Sequence, residues 1–372
     1  MTPKTEKQLC DAVRDIKGPL KIVGGGTRPI GNDVSGETLS TALMSGITLY
    51  EPGALTLVAQ AGTPLADIEA ALGAENQRLP FEPMDHRKLL GTEGISTIGG
   101  VVAANVSGPA RIQAGACRDS LIGVRFVDGQ GTAIKNGGRV MKNVTGYDLV
   151  KLLAGSYGTL GVLTEVSFKV LPTDATQACI LIKNQSVAGA VHSMSQALGS
   201  PYEVSGAAHI MGDEPVTMLR IEGFQDSVAY RTEQLVKLLA AAGDISIEND
   251  PVKSGALWGG IRDVAPLHEF DGDIWRCSIK PSDAPALVAA LADAKVVLDW
   301  GGGLVWIGCP SGTNLREVAP QITGHRTLMR GGDDTKVALG VFEKENVAIQ
   351  KLSQGLRDRF DPRGILNPGL MG

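Results

Sequence analysis

Three consecutive glycines, Gly24, Gly25 and Gly26, close the short apolar run that starts at Lys21, and Thr27, Arg28, Pro29, Ile30 and Gly31 follow them. Glycine loses more conformational freedom on folding than any other residue, so a triplet at the end of a strand indicates backbone that another group must approach closely. The dinucleotide fingerprint G-x-G-x-x-G does not fit, because Pro29 occupies its third glycine position and Gly31 with Asn32 continue a loop. A Walker A loop does not fit either, since no glycine is followed at the required spacing by Lys-Ser or Lys-Thr. Two readings of the triplet stay open: a nest of successive N–H groups aimed at an anion, with the Thr27 hydroxyl beside it, or an ordinary glycine-rich turn.

A second loop, from Gly94 to Pro109, favours the nest. Its small residues Ser96, Thr97, Gly99, Gly100, Ala103 and Ala104 leave room for a flat or phosphorylated ligand beside the backbone. A third glycine cluster, "GSYGTLG", ends at Gly161 and leads into an alternating strand with Val162, Thr164, Val166, Phe168 and Val170 on one side. A hairpin about Asp128 to Gly131 precedes it. Metal chemistry has little support: Cys10, Cys117, Cys179, Cys277 and Cys309 lie far apart with no CxxC pair, and no HxH or HxxxH pair occurs among the histidines. No disulfide framework is expected, and a reducing compartment suits the chain.

The elements that must position these loops follow from composition and periodicity. With 372 residues, 43% of them hydrophobic, and a formal charge of -5, the chain suits two domains and offers no basic face for nucleic acid. No apolar stretch reaches the ~20 residues of a membrane span. The N-terminal segment is periodic at Leu9, Val13 and Ile16, an amphipathic helix rather than a signal peptide. Beyond Pro172 the chain runs strand, helix, two strands, helix, strand, and from Asp273 the same order recurs, which predicts an α+β unit with two split βαβ motifs side by side. A last helix over "NVAIQKLSQGLRDRF" puts Val347, Leu352, Leu356 and Phe360 near one face and stops at Asp361 and Pro362. The tail after it reads as loop.

The succession "GGGT", "STIGG..AAN..G", "RDSLIGV.FVDG.G", "KNVTGYDLVKLLAGSYGTLGVLTEV" and "FDPRGILNPG" resembles the flavin-binding family of vanillyl-alcohol oxidase and the D-2-hydroxy-acid dehydrogenases. Within it, "NVTGYDLVKLLAGSYGTLG" is most similar to the smaller FAD-binding subunits of bacterial glycolate oxidases. The resemblance implies an α+β fold in which a two-subdomain PCMH-type FAD-binding domain covers residues 1–172. An α+β cap covers 173–340, and a C-terminal helix and tail over 341–372 return to the FAD domain. It places the FAD pyrophosphate against Gly24, Gly25, Gly26 and Thr27, with Arg28, Ile30 and Gly31 completing the loop. Thr97, Ile98, Gly99 and Gly100 would meet the pyrophosphate and ribityl chain. Cys117, Arg118 and Asp119 would run along the cofactor, Gly161 and Val162 would offer backbone to the adenine, and Asn367 would return the tail to the flavin.

Relatives that bind FAD covalently often carry a His in the first loop. Thr27 and Arg28 stand there instead, which implies non-covalent FAD with Cys117 as the one other attachment point. The implied activity is oxidation of a small 2-hydroxy acid, glycolate or D-lactate, to the 2-oxo acid. Electrons would pass to a larger FAD-binding subunit and an iron-sulfur subunit in the cytoplasm, at the membrane through those partners. A self-sufficient flavin oxidoreductase and a non-catalytic FAD-binding assembly subunit are the alternatives. The family's "GDGNxH" and its later Glu-His segment have no counterpart, the nearest stretch being "RGGDDTK", so no base is assigned. His209, His268 and His325 are the candidates considered. Asp148 in "GYDL" reads as a helix cap.

Overall fold

The computed structural model describes residues 1–138 and 146–372. The Asn143-Val144-Thr145 part of the "KNVTGYDL" motif lies outside them. The chain opens with the helix Glu6–Asp15, where the Thr5 hydroxyl accepts from the Gln8 N–H at 3.2 Å and Leu9 and Val13 are buried, as their spacing requires. β1 (Leu20–Val23) and β2 (Glu37–Ser40) then pair in parallel. β3 (Ile47–Glu51) and β4 (Thr56–Gln60) follow, then the two-residue β5 (Gln77–Arg78), β6 (Leu121–Val127), β7 (Ala133–Gly137), β8 (Val162–Lys169) and β9 (Leu171–Pro172). Five of these form an antiparallel sheet in the order β3-β4-β8-β6-β7, and β5 pairs with β9.

β8 alternates as expected, with Val162, Thr164, Val166 and Phe168 buried, but Leu163 and Ser167 on its other side are buried too. Both faces of this sheet are covered, by the helix Ile98–Ala103 and by the N-terminal helix, whose Glu6 accepts from the Thr164 hydroxyl at 2.7 Å.

The second half supplies β10 (Thr176–Lys183), β11 (Gly206–Ile210), β12 (Val216–Gly223), β13 (Asp244–Glu248), β14 (Asp273–Ile279), β15 (Lys295–Asp299), β16 (Leu304–Cys309) and β17 (Gly324–Arg330). They form one eight-stranded antiparallel sheet in the order β13-β10-β12-β11-β15-β16-β14-β17. The order is two copies of one βαββαβ unit joined back to back where His209 pairs with Leu298 and Ile210 with Val297. This is the repeat that the sequence predicts.

Strand alternation divides the sheet's two faces. Ile180, Leu219, Trp275, Val296 and Val305 pack under the helices Val187–Leu198, Gln225–Leu238 and Ala284–Ala289. Met218, Ile274, Val297, Leu304 and Trp306 join the core shared with the first half. Arg220, Arg276 and Asp299 have the same parity as this second set, so the face turned toward the first half carries charge.

Buried polar contacts fasten the halves together. Arg220 donates to Glu82 through Nη1 at 2.7 Å and Nη2 at 3.1 Å, and the Trp300 indole donates to the Gly108 carbonyl at 3.0 Å. Burial works to raise the Glu82 carboxyl, but the field and hydrogen bonds of Arg220, with the Ala110 N–H, hold it below the usual range.

The final helix, Val347–Phe360, is capped by Asn346 and stops at Asp361 as expected, but it packs differently from expectation. Val347, Leu352 and Leu356 are exposed, while Phe360 is anchored 6.0 Å from Phe126 and through its carbonyl to the Gly129 N–H. No helix among the described residues is long and apolar enough to cross a membrane.

Replacing Arg220 by Met is expected to destabilise the protein by about 3 kcal/mol or more, because Glu82 is left in place without its partner. Urea unfolding checks this. The Glu82 pair contributes fully above the ordinary carboxylate range and loses its contribution as pH falls through the lowered folded value. That acid limb should be smaller in Arg220→Met.

Candidate functional site

The two glycine loops are locked together by backbone. A Cβ added at Gly25 would overlap the Ile95 carbonyl, and one added at Gly94 would overlap the Gly25 carbonyl. A Cβ on Gly24 would stand 2.5 Å from the Thr97 hydroxyl, and one on Gly99 would stand 2.7 Å from the Ala61 carbonyl. Backbone passes over Gly25, Gly94 and Gly99, and the Thr97 side chain passes over Gly24. Gly26 differs: its Cβ would meet nothing within 4 Å, and its φ of +74° is what calls for glycine.

What the interlock leaves open is a nest. Among the described residues no protein acceptor meets the N–H groups of Gly24, Gly25, Gly26, Thr27 or Arg28. They border a cleft of about 380 Å³ whose other walls come from Thr97, Gly100, Ala103, Ala104 and the turn Ser156 to Gly158. Thr97 is 3% exposed, and its hydroxyl has no partner. An orphaned hydroxyl beside a run of unpaired N–H groups has the donor set of a phosphate site, and none of it requires a lysine.

Most of the residues expected from the sequence line this cleft: Gly24, Gly25, Gly26, Thr27, Arg28, Ile30, Gly31, Thr97, Gly99, Gly100, Gly161, Val162 and Asn367. Asn367 acts on the protein itself, accepting from the Ile22 N–H at 2.7 Å and donating to the Tyr157 carbonyl at 2.8 Å, which ties the tail to both walls. Ile98 instead points into the core and is fully buried. Cys117, Arg118 and Asp119 do not line the cleft; they form the turn of helix Cys117–Ser120, where Arg118 donates to the Ala154 carbonyl and Asp119 accepts from the Ala116 N–H. Burial holds the Cys117 thiol protonated well above its ordinary range, so it is no nucleophile. Asp148 caps the helix Leu149–Leu153 by accepting from the Lys151 N–H, and Tyr147 is exposed.

The three histidines considered as bases lie elsewhere. His209 is buried on β11 against the Thr217 hydroxyl, His268 bonds the Asp263 carbonyl at 2.7 Å, and His325 is exposed. Among the described residues no cluster could hold a metal ion. The "RGGDDTK" stretch does reach the cleft, through Asp333 and Lys336.

Sequence reading missed a group of cationic and aromatic side chains between the first half and the eight-stranded sheet. Among the described residues the Arg28 guanidinium is bonded only to the Ser96 hydroxyl, at 3.0 Å, and burial lowers it to about 10. Arg276 stands over Trp300 at 5.3 Å and Trp306 at 5.9 Å, Arg111 stands over Trp300 at 4.4 Å, and neither forms a salt bridge or side-chain hydrogen bond among the described residues. Tyr157 is held with φ +51° and its ring 5.3 Å from that of Phe342. His86, 5% exposed, is pushed down to about 3 by burial and by Arg28 and Arg276. Half-buried cations that form no salt bridge among the described residues are suited to an anion.

Comparison with known proteins agrees with this geometry. The family model described as "FAD binding domain" matches residues 1–137. Glycolate oxidase subunit GlcE of Escherichia coli is 35% identical over 98% of this chain and 95% of its own length. Rat mitochondrial D-2-hydroxyglutarate dehydrogenase is 26% identical over 96% of the chain and 73% of its own. The Bacillus subtilis glycolate oxidase subunit GlcD is 30% identical over 64% of the chain and half of its own length. Among solved structures, an alkyldihydroxyacetonephosphate synthase superposes with a TM-score of 0.71 at 16% identity, covering 99% of this chain and 76% of that one. The BBE-like 1 protein of Physcomitrella patens gives 0.66 at 15%, covering all of this chain and 90% of that one. The fold is thus the α+β, PCMH-type FAD-binding fold, and the cofactor is FAD.

Gly25→Ala and Gly26→Ala separate the interlock from the nest. Gly26→Ala should cost roughly 1 kcal/mol, the penalty of a left-handed alanine. Gly25→Ala should cost more and yield protein with little bound flavin, because the first loop must move off Ile95. Thermal unfolding and the flavin-to-protein absorbance ratio check both.

Proposed function

The chain belongs to the FAD-binding oxidoreductase family represented by glycolate oxidase subunit GlcE, and we propose that it is the FAD-bearing subunit of a complex that oxidises glycolate or D-lactate to the 2-oxo acid. The observation that carries this reading is the run of unpaired N–H groups from Gly24 to Arg28 beside the orphaned Thr97 hydroxyl. In this reading those groups hold the diphosphate. Gly100, Ala103 and Ala104 leave room for the ribityl chain and ring system, and Gly161 with Val162 border the adenine end. Residues 1–172 carry the cofactor, 173–340 cap it, and 341–372 return to it. Bound FAD supplies the hydride acceptor.

The substrate class rests on two supports. Relatives are named glycolate oxidase subunits, and one from Anaerostipes hadrus is named D-lactate dehydrogenase. Arg111 and Arg276, stacked on the Trp300 and Trp306 rings and in no salt bridge among the described residues, offer guanidinium groups for a carboxylate. Attachment of FAD is non-covalent in this reading, because the first loop offers no His and Cys117 is sealed in the core. Electrons leave through partner subunits, among them a larger flavin subunit.

The test is the visible spectrum of the purified chain, followed anaerobically after glycolate or D-lactate is added, alone and with the co-expressed complex. Flavin bands that bleach with either acid are expected in the complex, and acid precipitation should leave a colourless pellet. A chain that never holds flavin, alone or in the complex, would contradict the reading.

A further inference from the structure

The last helix, Val347–Phe360, is a strap between the two halves: Glu343 before it is held by Arg326 of β17 at 3.1 Å, and Phe360 at its end packs on Phe126. Among the described residues, the side chains between these anchors hydrogen-bond only within the segment, as Ser353 does to Glu345 at 2.9 Å and Gln354 to Asp358 at 2.7 Å. A lone helix this short is marginal in water, and burial of an apolar face is what ordinarily holds one. Here that face is uncovered. Ser353, Arg357 and Phe360 are half-buried and mark the side turned to the body, whereas Ile349 is 44% exposed, Leu352 66% and Leu356 39%. At about 3.6 residues per turn these three form a stripe alongside the body-facing side. The stripe has ends of opposite charge. Glu345, Ile349, Leu352, Leu356 and Arg359 follow one another in steps of four, three, four and three, the spacing of a two-helix seam. Ala348 and Gly355 flank it. Nothing inside the chain calls for Gly355: it sits mid-helix, where glycine costs stability, and a Cβ on it would meet nothing within 4 Å.

We propose that this stripe is a self-association surface, on which the same helix of a second copy lies antiparallel about a two-fold axis at Leu352. Turning the helix end for end about Leu352 puts Glu345 opposite the partner's Arg359, Ile349 opposite the partner's Gly355, Leu356 opposite the partner's Ala348, and Leu352 opposite itself. Each large side chain off the axis then meets a small one and each charge its opposite, twice over by symmetry. A parallel pair would instead set Glu345 beside Glu345 and Arg359 beside Arg359. Both charges are available: Ser353 engages one oxygen of the exposed Glu345 and fixes the carboxylate along the helix, and the exposed Arg359 forms no salt bridge among the described residues. Gly355 gains a purpose, since bare backbone lets the partner's Ile349 approach closely. The symmetry identifies the occupant, because a surface shaped for an unrelated protein need not complement its own reversal. One helix from each copy buries less than the ~1,200 Å² of a standard interface, so the association is reversible and concentration-dependent. The inference goes beyond the flavin and substrate reading and does not depend on it.

The test is sedimentation velocity of the full chain over a wide range of concentration. Wild type should pass from monomer to dimer as concentration rises. Glu345→Arg and Arg359→Glu each make two facing pairs repulsive, and each should weaken dimerisation by about tenfold or more. Mixed in equal amounts, these two variants should recover it, because each then faces the other's opposite charge. The double variant should recover it alone. Leu352→Asp sets two carboxylates face to face on the axis and should stay monomeric. All of these positions are exposed, so the unfolding temperature and the flavin-to-protein absorbance ratio should keep their wild-type values, which separates lost association from lost fold. A wild type that remains monomeric, a dimer indifferent to Leu352→Asp, or single variants that their mixture does not rescue overturns the proposal. So does a purified complex that holds one copy of this chain with the helix protected from amide exchange by a different subunit. Each of these results leaves the flavin reading standing.

Discussion

Backbone crossing backbone at Gly25 and Gly94 is the constraint on which the site depends. Neither position has room for a Cβ, because each would run into the carbonyl of the opposing loop. With the loops interlocked, the N–H groups from Gly24 to Arg28 meet no protein acceptor among the described residues, and these five residues line the cleft. Unpaired donors are costly in a folded chain unless a ligand meets them. The tail reinforces the same arrangement, since Asn367 joins the end of β1 to the turn at Tyr157 and so fixes the opposite wall.

The second half contributes through parity. Each strand of the eight-stranded sheet gives alternate residues to the helices and to the first half, so one register choice decides that Trp275 and Cys277 enter the helix-side core while Arg276 faces the first half. The same choice brings Arg220 to Glu82. One of these arginines is neutralised by a carboxylate and the other is not, and that asymmetry separates a structural clamp from a group free to take a ligand. Asp299, raised to about 7 by burial, shares this face and spends one oxygen on the Trp300 N–H.

Much of this was legible in the sequence. Glycine spacing marked both loops, because few structural reasons require so many residues without side chains. The repeat of strand and helix order marked the paired units. Other features were not legible. Gly24, Gly25 and Gly99 were read as space for a ligand, whereas Thr97, Ile95 and Ala61 occupy that space, and only packing reveals which neighbour a glycine accommodates. Ile98 lies between two residues of the cleft but turns into the core, as one position of a helical turn does, and Cys117, Arg118 and Asp119 belong to a separate helical turn that does not line the cleft. His86 and Arg276 belong to no motif. The last helix misled in the opposite sense: its apolar spacing is real, yet the structure leaves Val347 and Leu352 exposed.

The central claim is that this chain grips FAD by its diphosphate. The most direct test is to strip the chain of flavin and titrate it with FAD, ADP and riboflavin. The account predicts that FAD binds, that ADP competes with it, and that riboflavin, which has the ring system without the phosphates, binds far more weakly. Riboflavin binding as tightly as FAD, with ADP unable to compete, would contradict it.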